Sequence, residues 1–522
     1  MPEPTTDSIK TAYETVSYPG RSYRYTHPDR LAVMAALAGM NSAPVDHCRV
    51  LEVGCGDGTN LLSMAQQLPN CDFVGVDFAE PGIASANETA QAVGLPNARF
   101  QAKDLCDLTP DFGTFDYILA HGVYSWVPEP VRLKLLQVCS ANLNPTGVAY
   151  VSFNANPGSH IRQMLREMMV WQSSSFADPQ ERVRQARAFA NFVRAVQPEQ
   201  SRIGPVLDVV LEAINKSEDA AVFHDQLADT NFSTTLVEFA EEAQAQGLQL
   251  LGEADLVSRH RSDLRPEAQA KIEEAGELDF LLQQQLIDFL HFVGFHRCLL
   301  CHGDLPLKRS YGPDDLPAFR LSSEVRSTSP QSAVHENSIA EFKGPDGRAL
   351  STDAPIAKAA LAFLESECPS SIPYRELAEK AAQASSQPHT EDQLRAILWA
   401  GCCNGLIELE LMAPAFSLYA GEKPLASPLA RYQVRTRTKV STLRQGNVEI
   451  SGALEKYLLQ LLDGTRTRAQ LVAHLMPMTE AGPIFLEEQG QQVRDPRRRE
   501  EMLGTKLDEN LRKLGRLALL MP

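Results

Sequence analysis

This 522-residue chain lacks any run of about 18 consecutive apolar residues, which excludes a helix long and apolar enough to cross a bilayer. Residues 1–20 carry neither a basic start nor an apolar run, so no secretory leader is expected and the cytoplasm is the expected location. Positive charge is scarce. Against 66 Asp and Glu stand 49 Lys and Arg, and the formal net charge of −17 would repel phosphates over much of the surface. The one dense basic run, Arg497-Arg498-Arg499, is flanked by Asp495, Glu500 and Glu501, as at a helix start with local ion pairs. Neither nucleic acid nor a membrane is therefore an expected partner. Acidity suits a lysine-rich partner, and equally it keeps a large protein dissolved. The ten cysteines are scattered, several of them (Cys55, Cys139, Cys402, Cys403) within expected strands or helices, which fits reduced thiols better than a disulfide framework. Cys298-Leu299-Leu300-Cys301-His302 has the spacing of a haem attachment site, but it ends an apolar stretch with the texture of a buried strand. No second cysteine pair with metal spacing appears, so neither haem nor a metal is expected.

What is present begins with Val50-Leu51-Glu52-Val53-Gly54-Cys55-Gly56-Asp57-Gly58, an apolar run ending in an acid and three glycines at alternate positions. Glycines let a chain leave the carboxyl end of a parallel strand sharply and approach a ligand with no Cβ in the way. A helix over 59–68 is expected next. A dinucleotide site needs G-x-G-x-x-G, and Thr59 occupies the third glycine's place. The pattern E-x-G-x-G-x-G instead resembles the first motif of class I S-adenosylmethionine (SAM) methyltransferases. Four further strands follow at regular spacing: Phe73-Val74-Gly75-Val76-Asp77, then residues 98–105 with Asp104, residues 115–120, and residues 147–154. Interleaved helices over 81–93 and 129–142 call for an α/β fold, a doubly wound Rossmann-like parallel sheet. Asp77 lies about 20 residues beyond the glycines, the spacing of a carboxylate that accepts ribose hydroxyls.

From Pro157 the strand pattern gives way to helices over 161–172 and 179–196, which either cover the mouth of the site or form a dimer contact. Further on come His224-Asp225-Gln226-Leu227-Ala228-Asp229, Glu238-Phe239, the run 247–254 and a closing stretch through Phe295, Arg297 and Cys301. Together with Tyr13-Glu14, Pro19, the run 26–31 and His121-Gly122-Val123-Tyr124-Ser125-Trp126-Val127, these resemble proteins that join a SAM domain to a methyltransferase regulatory domain. Among them are the rickettsial protein-lysine methyltransferases that modify outer-membrane proteins. The resemblance covers roughly residues 10–305 and implies a protein substrate, lysine-rich or an outer-membrane protein precursor. The last third reads as an internal repeat. A turn at 342–348 precedes helices over 356–367, 374–384 and 391–404, and a turn at 443–448 precedes helices over 453–462, 467–474 and 506–514. Gly405-Leu406-Ile407-Glu408-Leu409 in one copy matches Gly515-Arg516-Leu517-Ala518-Leu519 in the other, which suggests two winged-helix-like modules for protein recognition or dimer packing. The expected units are residues 1–160, 161–219, 220–305, 336–412 and 430–522, with linkers at 305–335 and 412–428.

By resemblance and strand position together, Glu52 with Gly54, Gly56 and Gly58 would hold the methionine part of SAM, Asp77 with Phe78 the ribose, and Asp104 with Leu105 the adenine. Tyr124 and Trp126, after the fourth strand, and Asn154, after the fifth, fall where an acceptor amine would be lined. Tyr13, Tyr18 and His27 are expected over the same mouth. His121 would act as a base or touch the cofactor. The expected reaction is SAM-dependent methylation of protein lysine, with a homodimer contact possible in geometry. Two alternatives stay open, methylation of a small metabolite and a SAM-sensing scaffold.

Overall fold

The apolar run after Arg49 forms β1 (Arg49–Val53), buried at every position but the first. It lies in the middle of a parallel array with β2 (Asp72–Asp77), β3 (Ala98–Ala102), β4 (Phe115–Ala120) and β5 (Leu143–Ala155), in the order β3-β2-β1-β4-β5. The chain therefore proceeds outward from β1 in one direction and restarts on its other side with β4. Such a reversal opens a crevice at the carboxyl ends of the central strands. In the computed structural model, which describes residues 6–257, 264–329, 338–385, 390–480, 482–488 and 491–522, that crevice holds a cavity of about 390 Å³.

The sheet continues beyond the five strands read from the sequence. Two-residue β6 (Ser233–Thr234) pairs with the end of β5, while β7 (Leu248–Glu253) and β8 (Phe295–His302) extend the far edge, β8 antiparallel to β5 and β7 antiparallel to β8. Cys298 packs with Ile118 and Ala149 on one face of this sheet and Cys301 with Tyr117 and Tyr150 on the other, so the two thiols of the C-x-x-C-H run point apart. Helices Ser159–Ser173, Pro179–Ala195, Gly204–Lys216 and Asp219–Leu227 enclose a separate apolar core that includes Leu165, Met169, Ala186, Leu207 and Leu211.

The stretch 305–335 is not merely a linker. Its strand Arg320–Ser323 lies at the centre of a three-stranded sheet, between Ile372–Pro373 and Ile407–Glu410, and residues 330–337 fall outside the described part. Serines and prolines made it look like loop. Here Ser322 and Ser323 are buried because their hydroxyls donate to Glu410 and to the Leu406 carbonyl.

Each of the two stretches read as a repeat forms a hairpin followed by three helices, the first ending in a strand and the second in an isolated bridge. The first has Ala340–Lys343 with Ala349–Thr352, helices Pro355–Glu367, Tyr374–Ala384 and Glu391–Cys403, and strand Ile407–Glu410. The second has Lys439–Ser441 with Asn447–Glu449, helices Ala453–Leu461, Arg468–Leu475 and Pro496–Arg516, and a bridge from Leu520 to Ala426. Its last helix starts ten residues earlier than periodicity predicted because Asp495 caps it and absorbs the basic run in its first turn: Arg498 pairs with Glu488 and Glu501, and Arg499 with Glu480.

Candidate active site

Three glycines after β1 take left-handed backbone angles, with φ of 73° at Gly54, 55° at Gly56 and 70° at Gly58. A Cβ on Gly54 would lie 2.6 Å from the Val123 side chain and one on Gly58 2.6 Å from Phe100, whereas one on Gly56 would project into open space. The turn thus packs on both flanks and leaves room at its tip. That tip opens on a cavity of about 390 Å³, a volume suited to a small cofactor.

Glu52, Gly54, Gly56, Asp77, Phe78, Asp104, Leu105, His121 and Trp126 all line this cavity; Gly58 does not, and packs against Phe100 and Ala86. Glu52 is 3 % exposed, and one of its carboxylate oxygens accepts from Asn60 Nδ2 at 2.7 Å while the other has no protein partner. Burial pushes its pKa up to about 8, against the Asn60 hydrogen bond. An unpartnered buried carboxylate oxygen is costly unless a donor arrives, and a cationic amino group is such a donor. Asp77 accepts from the Gly56 amide and the Ala79 amide, each at 2.9 Å, so it also fixes the glycine turn. Its pKa is raised by burial. Asp104 accepts from the Cys106 amide at 2.8 Å.

The acceptor side differs from what the sequence led us to expect. Residues Tyr124–Trp126 form a single 3-10 turn, which turns Trp126 to the cavity and Tyr124 into the core. Tyr124 packs at tilted and edge-on angles among Phe153, Phe232 and Phe239, and its hydroxyl donates to Glu242. Asn154, 1 % exposed, is likewise absent from the cavity wall; it accepts from Arg162 at 2.8 Å and donates to Asn231 at 3.2 Å. His121 does line the cavity, with Nδ1 3.0 Å from the Tyr150 hydroxyl and its ring 4.0 Å from that of Tyr23. Burial, then the charge of Arg297, lowers its pKa to about 4. It is neutral at physiological pH.

The N-terminal segment crosses the cavity and contributes Tyr13, Tyr18, Arg21 and Tyr23. His27 is not with them. It caps helix Pro28–Leu37 through Nδ1 and lies in a second cavity of about 60 Å³ beside Arg24, Glu410 and Arg444. Sequence reasoning missed two acids in the main cavity: Asp57, within the glycine turn, and Asp225, from the H-D-x-L-A-D motif that marked the regulatory domain. Tyr18 donates to it at 3.4 Å, Tyr13 stacks on its neighbour His224 at 4.2 Å, and burial, opposed by Arg162, raises its pKa to about 6. The motif itself was the available signal. Elsewhere, Glu253, His296 and Cys298 cluster within metal-ligand range, but both ring nitrogens of His296 are engaged, by Glu253 at 2.6 Å and Asp288 at 2.9 Å. Those carboxylates outweigh burial and raise its pKa to about 10, so the cluster is an ion-paired imidazolium.

Family models match three stretches: a methyltransferase domain over residues 50–147, a predicted methyltransferase regulatory domain over 218–302, and the C-terminal winged helix domain of PKMT over 422–519. Uncharacterized protein RP789 of Rickettsia prowazekii is 28% identical over 496 residues, covering 92% of this chain and 88% of that protein. Uncharacterized protein RP028 of the same organism is 33% identical over 243 residues, 46% of this chain and 97% of that protein. The structure of PKMT2 from Rickettsia typhi in complex with AdoHcy superposes with a TM-score of 0.86 at 28% identity, covering 96% of this chain and 99% of that one. No helix among the described residues is long and apolar enough to cross a membrane. With the glycine turn, the acids at successive strand ends and these likenesses along nearly the whole chain, the protein belongs to the rickettsial-type PKMT family of class I SAM-dependent methyltransferases.

Proposed function

We propose that this enzyme methylates lysine side chains of proteins, with Glu52 and the glycine turn holding the methionine part of SAM, Asp77 and Phe78 the ribose, and Asp104 with Leu105 the adenine. The observation that carries this reading is the union, in one cavity, of that acid-lined floor with a roof made of Tyr13, Tyr18, Tyr23 and Asp225. Bound SAM supplies a methyl group on a cationic sulfur, a good leaving group that needs no acid. The chain has to supply alignment and a neutral amine. Alignment alone is worth roughly 7–11 kcal/mol of barrier. Deprotonating a lysine of reference pKa 10.4 at pH 7 costs roughly 4–5 kcal/mol. Asp225, ionised at neutral pH with its pKa near 6, draws the lysine ammonium to the mouth, and the aromatic surround of Tyr18, Tyr23 and Trp126 then disfavours its charge, so that its proton is released to water before the neutral amine meets the methyl group. His121, with a pKa near 4, is too weak a base to take that proton and instead shapes the wall. Asn154 supports the acceptor side indirectly, through Arg162 and through Asn231, which donates to the Asp225 carbonyl.

The likeness to PKMT2 supports a protein acceptor, and the net charge of −17 supports a lysine-rich one through long-range attraction. Exposed Trp171 and Val209, 71% and 72% accessible, support a contact between two copies through the helical region. Ten free cysteines support a cytoplasmic location. The test is incubation with methyl-labelled SAM and a lysate of the protein's own host. Label in protein, recovered after hydrolysis as methyl-lysine, is the expected result; label confined to small molecules would overturn the reading.

A further inference from the structure

Helix Thr59–Gln67, which follows the glycine turn, is buried on nearly every side although its outer face is polar. Thr59, Asn60, Ser63, Gln66 and Gln67 recur at helical spacing on that face, and the C-terminal module meets each of them: Arg437 donates to Thr59, Gln445 to Asn60, Ser427 to Gln66, Ser63 donates to the Thr442 carbonyl, and Gln67 donates to Gln445. At the centre of this contact lies Gln445, 1 % exposed, in the turn between Lys439–Ser441 and Asn447–Glu449. Its φ is 54°, a left-handed angle that glycine or asparagine adopts far more readily. The corresponding turn of the first module has Gly347 at that place, with φ of 86°. A strained backbone held by its surroundings points to a use for the side chain.

We propose that Gln445 is a positioning residue of the cofactor site, acting on Glu52 through Asn60. Gln445 Nε2 donates to the Asn60 carbonyl at 2.9 Å and to Asn60 Oδ1 at 2.8 Å, and Oδ1 also accepts from the Tyr23 amide at 2.8 Å. Asn60 Nδ2 donates to Glu52 at 2.7 Å and to Thr26 at 2.9 Å. The asparagine amide is thus fully engaged in one orientation. Turned over, it would set its oxygen against Glu52 in the ionised form that faces a cationic amino group, two acceptors face to face. The donors from Gln445 and from the Tyr23 amide both disfavour that orientation, so the C-terminal module shares in fixing how the cofactor-binding acid is presented.

Isothermal titration of SAM and of AdoHcy into the full-length protein tests this. Gln445→Met keeps the volume and loses the amide; Gln445→Gly loses the amide and relieves the backbone, so it folds even if the first variant does not. Both are expected to raise the Kd about tenfold. Asn447→Ala removes a neighbouring contact of the same hairpin, to Ser22, and is expected to leave the Kd within twofold. In an Asn60→Ala background, Gln445→Met is expected to add less than twofold. The proposal fails if either Gln445 variant, folded, binds within twofold of wild type, if Asn447→Ala weakens binding as much, or if the effect of Gln445→Met persists in full without Asn60.

Discussion

Turns 344–348 and 442–446 close with the same backbone hydrogen bond, from Gly344 to Arg348 and from Thr442 to Gly446, each at 2.9 Å. Their surroundings differ. Pro345, Asp346, Gly347 and Arg348 are exposed, while Thr442, Leu443 and Gln445 are buried against helix Thr59–Gln67. The free turn takes glycine at its left-handed position, as local energetics favour. The buried one takes glutamine against that preference. The two turns thus share a backbone, and the one against helix Thr59–Gln67 departs from local preference where its side chain reaches Asn60.

If that difference serves the cofactor cavity, changes within the cavity set the scale for both turns. Asp77→Ala removes both the proposed ribose partner and the anchor of the Gly56 amide, and SAM affinity by calorimetry should fall at least a hundredfold; unchanged affinity would remove Asp77 from the site. Asp225→Asn should lower kcat/KM for a lysine acceptor about thirtyfold, or about 2 kcal/mol, while leaving the SAM Kd within about twofold. That split separates the roof from the floor, and therefore from anything the second turn controls. Glu52, with its pKa near 8, must lose its proton to face a cationic amino group. Protonation therefore opposes binding, and SAM affinity should rise about tenfold from pH 6 to pH 7, with proton release detectable in buffers of different ionisation enthalpy. A flat profile would take Glu52 out of contact with that group. The smallest change in affinity belongs to the free turn. Gly347→Gln, where a Cβ meets open space, should cost about 1–2 kcal/mol of stability by denaturant titration, through backbone strain alone, and leave SAM binding within twofold.

The cofactor side was legible because its signals are local. A buried strand, an acid at its end and a glycine turn are read in consecutive residues, and Glu52, Asp77, Phe78, Asp104, Leu105 and His121 line one cavity. The acceptor side was less so because it depends on how a loop turns. Tyr124 and Trp126 are two residues apart and were read as partners, but a 3-10 turn separates them. Asn154 could not be distinguished from a cavity residue without knowing that Arg162 would claim it. Asp225 was quoted as part of a motif with no sign that its helix would return to the N-terminal segment. The strand Arg320–Ser323 was hidden because serines that look like loop residues find partners on Leu406 and Glu410, far along the chain. Both halves of the repeat could be seen; that the turn of the second covers helix Thr59–Gln67 could not, since nothing local marks the polar face of that helix as covered.

The central claim, that the second hairpin is coupled to the cofactor cavity and the first is not, is tested most directly by amide hydrogen exchange with and without saturating SAM. The account predicts slower exchange at the glycine turn and at residues 439–449 when SAM is bound, with residues 340–352 unchanged. Equal exchange at 439–449 in the two states, or equal protection of both hairpins, would contradict it.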